Sequence, residues 1–461
     1  MLPDSFWKNP NHVVADTACK SGIILQTARN LFIKNLSEQF GGRNEAARHS
    51  LRKQICGIAT SRLAQDISVR TVYDGMDPET FGLDSHGLIR FNPSMHSFNG
   101  YSCIHCGASA AFEEDEMALE ILHCSNPKSI LPLRPDAVIS SPVFQMFPKN
   151  PKGRPNFIYH QIMKKNVATG ARYIAMMLSA RWMSGGRFDI SQFRNYLASC
   201  GHVRRFDLFE DASLLFPASV AHLKGGICCI LFDRKWHSDE CIYRTYTKDG
   251  LAYEKKRRLG VQVKGDWIVS RDDDLMDIVQ NKILPNADAT FDSIMQTAFH
   301  FGLNTNFDGG QLKPFKNCVT LYTKNGTRYV GRDQIPRNAD WIDKLKIFLN
   351  EAYGCGVYGK DRIKYMIGDR GTAATGTFIP AGIFKTRDEI ESAASYLSLP
   401  EVSACVGLLK NTQHASRKTY SMLPLPDFST GGLWTSERFC RTFGLSERDR
   451  KLLIEKFEIN S

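Results

Sequence analysis

The strongest constraint on the fold is a rhythm in the first half of the chain. Short apolar runs alternate with amphipathic stretches: HVVAD at 12–16, a helical spacing from Ile23 to about Leu36, then QICGIA, HGLIRF, DAVIS, YIAMML and CCILF. Brief apolar strands separated by helix-length amphipathic segments are what a largely parallel sheet with crossover helices requires, so the expected fold class is α/β. From about residue 245 the texture shifts, and EKKRRLGVQVKGDWIVSRDDD opens a region of shorter, mixed segments. A boundary is expected between residues 240 and 260 and is drawn at 250, giving segments 1–250 and 251–461. A chain of 461 residues has room for two cores of ordinary size.

Hydrophobic residues at 43% and charged residues at 23% exclude disordered and fibrous classes. The thirteen cysteines are odd in number and sit in apolar contexts such as Cys228-Cys229 in GGICCILF. That usage reads as reduced thiols and predicts a cytoplasmic protein. No apolar stretch approaches the ~18 residues of a membrane span, so no membrane partner is expected. The formal charge of +11, from 59 Lys+Arg against 48 Asp+Glu, suits a polyanionic partner without identifying one. Residues 312–385 interleave basic and aromatic side chains, as in KPFKNCVTLYTKNGTRYVGRDQIPR. A nucleic-acid surface needs that pattern, and a solvated sheet face shares it.

Two constellations carry chemistry. In VVADTACKSGIIL (13–25) an apolar strand ending in Asp16 passes through Ser21-Gly22 into an apolar helix. Such a turn lets a helix N-terminus approach a nucleotide-like ligand, although a strand ending in Asp before a helix is also a common structural junction. In PDAVISSPVFQ (135–145) a strand delivers Ser141, the carbonyl of Pro142 and the ring of Phe144. Hydrogen-bond acceptors for an amine beside a stacking ring suit chemistry on the amino group of an extruded base; alone, the same residues read as a strand-ending proline and a core phenylalanine.

Two further clusters are weaker. YSCIHCGAS places Cys103 and Cys106 near His96, His105, His123 and Cys124. One C-x-x-C supplies two of the four ligands a structural zinc wants, and no second spaced pair follows, so a reduced pair in a turn is read here and no metal is assigned. Asp249, Glu254 and Lys256 lie too close together for strand-borne nuclease chemistry and read as a solvated face.

Taken in order, the words DTACKSGIIL, SPVF, IYHQIM, YIAMMLSARWMSGGR, FRNYL, RFDLFEDA and FPASVAHLKGGICCILFDR resemble the gamma-class, adenine-specific DNA methyltransferases of restriction-modification systems. SYLSLPEVSACVGLLKNTQHASRKTYSMLPLPDF and LWTSERFCRTFGLSERD resemble the closing part of that family's recognition region, so the likeness runs from about residue 5 to the C-terminus. The resemblance implies a Rossmann-like, seven-stranded methyltransferase domain over 1–250, followed by a mixed α/β target-recognition domain over 251–461. It implies S-adenosylmethionine as methyl donor, the exocyclic amino group of adenine as acceptor, and double-stranded DNA as partner, with a restriction or methyltransferase subunit as a further partner. Carried over by position, Ser141, Pro142 and Phe144 are catalytic, and Asp16, Ala18, Cys19, Lys20 and Gly22 line the cofactor.

The sequence departs from the family pattern. Ser141 stands where adenine enzymes carry Asn, and serine there is familiar in relatives that methylate the cytosine amino group. Val143 replaces a second proline, Thr17 replaces the proline after Asp16, Lys20 replaces a glycine, and Ala59 offers no carboxylate to a ribose. The alternative expectation is therefore a catalytically impaired homologue that acts as a DNA-binding or specificity subunit.

Overall fold

The computed structural model describes residues 1–92, 96–100, 102–106, 119–142, 145–146, 156–186, 188–216, 225–263, 265–354, 359–410, 412–430 and 432–455. The chain divides into two compact units: Met1–Ala180, Arg187–Ala218 and Gly226–Trp267 form the first, and Arg181–Gly186, Ser219–Gly225 and Ile268–Ser461 the second.

The first unit is built on one sheet. Its strands are β1 (Val14–Cys19), β2 (Ile55–Ala59), β3 (Ile89–Arg90), β4 (Ala137–Ser140), β5 (Tyr173–Ser179), β6 (Val203–Phe209), β7 (Ile227–Asp233), β8 (Glu240–Thr247) and β9 (Gly250–Arg258). They lie in the order β9-β8-β6-β7-β5-β4-β1-β2-β3. β7 runs against both β5 and β6, β9 runs against β8, and the other neighbours are parallel. Strands β1, β2, β5 and β7 are almost wholly buried, as a sheet covered on both faces demands. That burial explains why their sequences are apolar runs rather than alternations.

Helices α1 (Ile23–Leu36), α2 (Arg43–Lys53), α3 (Arg62–Val72), α4 (Tyr159–Ala168) and α5 (Phe188–Ser199) belong to this unit. In α1 the buried positions Leu25, Ala28, Phe32 and Leu36 repeat at helical spacing and join Val14, Ile55 and Ile89 in one core. Ser61 caps α3 by accepting the Ala64 N–H at 3.1 Å.

The large, mostly parallel sheet is the expected α/β architecture. It holds nine strands where seven were expected, because the β8–β9 hairpin extends one edge. Asp249 precedes Gly250 at φ +103°, a residue pair suited to a tight hairpin. Charges pair across the hairpin: Arg244 with Glu254, Lys256 with Glu240 at 3.1 Å, and Arg258 with Asp239 at 3.4 Å. An edge strand this charged blocks pairing with further chains, and it carries no apolar alternation for a reader of sequence to see. The structural division falls after Trp267, so β9 stays with the first sheet although a line at residue 250 would part it from β8.

The second unit is mixed α/β. β10 (Val319–Thr323), β11 (Gly326–Val330) and β14 (Thr372–Ala374) form one three-stranded sheet; β12 (Leu345–Asn350), β13 (Tyr365–Gly368) and β15 (Phe378–Phe384) form another. Phe301, Leu321, Val330, Phe348 and Ala373 share a core. Helices α6 (Arg387–Leu397), α7 (Pro400–Gly407), α8 (Ser436–Thr442) and α9 (Glu447–Ile454) follow. Three of its buried acids pair with cations: Asp361 with Lys410, Glu401 with Arg450 at 3.3 Å, and Asp449 with Lys282 at 2.7 Å, while the buried Lys346 donates to backbone carbonyls. Among the described residues no helix is long and apolar enough to cross a membrane.

Candidate functional site

After β1 the chain builds outward through β2 and β3; it then returns to the other side of β1 to lay down β4 and β5. The order reverses between β1 and β4, and in open parallel sheets the crevice at the C-terminal ends of such a strand pair is where ligands bind. β1 and β4 are parallel neighbours, with Val14 opposite Ala137 and Ala15 opposite Val138. Asp16, within β1, and Ser141, just past β4, therefore lie on adjacent parallel strands.

β1 does not stop at Asp16 as its apolar pattern suggests. It runs to Cys19, with an irregularity between Asp16 and Cys19 in its pairing with β2. Asp16 is 3% exposed, and its Oδ1 accepts the Ala18 N–H at 3.0 Å. The hydroxyl of Ser140, on the neighbouring strand, is buried beside it but does not close a well-formed hydrogen bond. Burial pushes the Asp16 carboxyl up to about 6, against the opposing pull of the Ala18 N–H, Ser140, Cys19 and Lys20. Among the described residues no cation lies within ion-pair distance of Asp16.

The other residues read as cofactor-lining divide by what their side chains do. Ala18 is buried. Cys19 is fully buried in the core cluster, and its Sγ lies so close to Gly57 that a Cβ there would meet it at 2.5 Å. Burial, then the nearby Asp16, raises the Cys19 thiol well above its ordinary value. The Cys19 side chain is thus committed to the core, and its carbonyl accepts the Thr60 N–H at 3.1 Å. Lys20 is exposed, and its carbonyl accepts the Ser68 hydroxyl at 3.2 Å.

Gly22 caps the start of α1 at φ +76°, and a Cβ there would lie 2.9 Å from the Ser68 backbone. The requirement for glycine comes from both the left-handed turn and the close approach of α3. Thr17, in place of the family's proline, donates to Asn166 Oδ1 at 2.7 Å and so ties β1 to α4.

Ser141 follows β4 directly and is half-buried. Its hydroxyl donates to Met177 Sδ on β5 at 3.8 Å, which leaves the oxygen lone pairs to accept. Pro142 is buried. Phe144 and Val143 lie outside the described residues.

No protein-family model matches this sequence. A protein of Mycoplasma pneumoniae described as an uncharacterized adenine-specific methylase is 21% identical over 296 residues, which is 56% of this chain and 69% of that protein. This chain is a relative of an adenine-specific methylase. Similar solved structures include the Type IIL restriction-modification enzyme MmeI in complex with DNA, at 12% identity and TM-score 0.48 over 97% of this chain and 70% of that one. The Type ISP enzyme LlaBIII bound to DNA follows at 10% identity and TM-score 0.47, over 91% of this chain and 37% of that one. The M protein of the Type I enzyme EcoKI has 12% identity and TM-score 0.35, over 54% and 48%. The chain thus spans half or less of the length of the last two.

Proposed function

We propose that this chain is a site-specific DNA methyltransferase of a restriction-modification system, transferring a methyl group from S-adenosylmethionine to the exocyclic amino group of adenine in duplex DNA. The observation that carries the reading is Asp16: a buried carboxyl at the sheet's switch point, raised to about 6 by burial and with no ion-pair partner among the described residues. A charge left uncompensated in a crevice marks a site completed by its ligand. A donor bearing an ammonium and a sulfonium fits that deficit, and a relative described as an adenine-specific methylase agrees with it.

When bound, the donor supplies an electrophilic methyl group. Asp16 holds its cationic part, while the backbone from Ala18 to Gly22 shapes the turn around it. The Ser141 hydroxyl and the Pro142 carbonyl accept hydrogen bonds from the target amine, which orients its lone pair for in-line attack. A hydroxyl serves as acceptor only if its own hydrogen is directed elsewhere, and Met177 takes that hydrogen. Phe144 stacks on the extruded base. The second unit reads the target sequence, and the basic balance of the chain contributes attraction to the phosphates.

The test is transfer of labelled methyl from S-adenosylmethionine to mixed-sequence duplex DNA, followed by identification of the modified nucleoside. N6-methyladenine is the expected product. A methylated cytosine amino group would reassign the base, and donor binding without transfer would favour a DNA-binding or specificity subunit.

A further inference from the structure

Between β3 and β4 the chain makes a small hairpin, Phe98–Asn99 paired with Ser102–Cys103, and a short helix, Glu120–His123. The hairpin and the turn after it bring Cys103 and Cys106 together, each only 3% exposed. The hairpin's approach delivers His96, and the short helix delivers His123. One ligand atom from each of these four residues lies within 4.8 Å of all the others, and His96 Nδ1 is 3.3 Å from Cys106 Sγ. In a closed tetrahedral zinc site the ligand atoms stand about 3.3–3.8 Å apart, so small side-chain rotations complete the geometry.

A second observation points to an ion. Both ring nitrogens of His123 are buried and have no hydrogen-bond partner among the described residues. Buried imidazole nitrogens left unpaired are costly, and a metal bond satisfies one of them. Around the sulfurs, the His105 N–H donates to Cys103 Sγ at 3.4 Å, the kind of backbone contact that steadies a thiolate.

We propose that His96, Cys103, Cys106 and His123 form a structural zinc site. Two thiolates and two neutral imidazoles cancel the charge of a divalent ion, which makes its burial tolerable. Soft sulfur and imidazole ligands select zinc over magnesium or calcium, and four protein ligands leave no open position for catalysis. The ion fastens the segment that leads into β4 and its Ser141. That segment is anchored to the sheet domain where Lys165 of α4 donates to the Cys124 carbonyl at 2.5 Å. Asn92, just past β3, also donates to Glu120 Oε1 at 2.9 Å.

The experiment is metal analysis of the full chain, purified without chelator from zinc-replete cells. About one zinc per chain is expected. Exchange into cobalt should give the visible bands of a tetrahedral ion together with a near-ultraviolet thiolate band. The Cys103→Ser/Cys106→Ser double variant and His123→Ala should lose the metal. His105→Ala should keep it, because His105 packs at a tilt against His123, 4.8 Å between ring centres, but is not one of the four ligands. The cobalt spectrum of the unaltered chain decides the matter even if a variant fails to fold. Folded protein without stoichiometric zinc or cobalt, octahedral bands, or full zinc retention in the double cysteine variant would overturn the proposal. Loss with His105→Ala but retention with His123→Ala would overturn the ligand set.

Discussion

The switch point of the first unit and the core of the second treat buried acids in opposite ways. In the second, Asp361, Glu401 and Asp449 each meet a cation: Lys410, Arg450 and Lys282. In the first, Asp16 is buried as deeply and has no cation within ion-pair distance among the described residues, and burial raises its carboxyl to about 6, whereas Asp207 and Asp233 on the far side of the same sheet pair with Arg205 and with Arg172 and Arg204. Asp449 shows the contrary shift: burial alone would raise it, but Lys282 and Ser446 hold it down at about 2. A paired buried acid stabilises the fold it sits in, whereas an unpaired one costs stability and is retained where a ligand supplies the missing charge.

The largest expected effect is at the Lys410–Asp361 pair, where both side chains are under a tenth exposed. Lys410→Met takes the cation away from buried Asp361, which should cost about 3–5 kcal/mol in denaturant unfolding at pH 7. Adding Asp361→Leu should recover most of that loss. If the single variant is as stable as the parent, the paired acids are not structural and the contrast fails.

Next comes Asp16→Asn, with the reverse sign. The folded carboxyl keeps a proton that the unfolded chain loses, so native stability falls as pH rises from about 4 to about 6, and the cost is fully present above that. Removing the charge should therefore stabilise the first unit by roughly 2–3 kcal/mol at pH 7 and by little at pH 4, while abolishing methyl transfer. Unfolding curves of the two proteins across that range check the sign.

How much of this was legible in the sequence follows from what each residue depends on. β1, β2, β4, β5 and β7 were visible because buried strands are apolar runs; the same logic places Ser141 just past a strand but ends β1 at Asp16, three residues short of Cys19. The β8–β9 hairpin was hidden because an edge strand carrying Arg244, Glu254, Lys256 and Arg258 has no apolar periodicity. The extension of β1 to Cys19 depends on its pairing with β2. His96 and His123 were seen as neighbours of a C-x-x-C but not as its completion, because the fold brings them there from distant positions. For the same reason the Lys410–Asp361 and Lys282–Asp449 pairs leave no mark in local sequence.

A smaller effect is expected from Asp449→Asn. A depressed carboxyl contributes stability that is present above about pH 4 and lost as pH falls through about 2, so the variant should cost roughly 1–2 kcal/mol at pH 7 and little by pH 2. Lys282 is 45% exposed, which limits the magnitude. Thr17→Val, which strands Asn166 Oδ1, should cost about 1 kcal/mol, read as a shift in the urea midpoint.

The role of Asp16 is tested most directly by calorimetric titration of S-adenosylmethionine into the unaltered chain and Asp16→Asn between pH 5 and 7. In the unaltered chain, affinity should tighten as pH rises through about 6, with protons released on binding, because the cationic ligand favours the ionised carboxylate. The variant should bind far more weakly and without that pH step. Equal affinity in the two proteins, or binding to the unaltered chain that ignores pH over this range, would contradict the role given to Asp16.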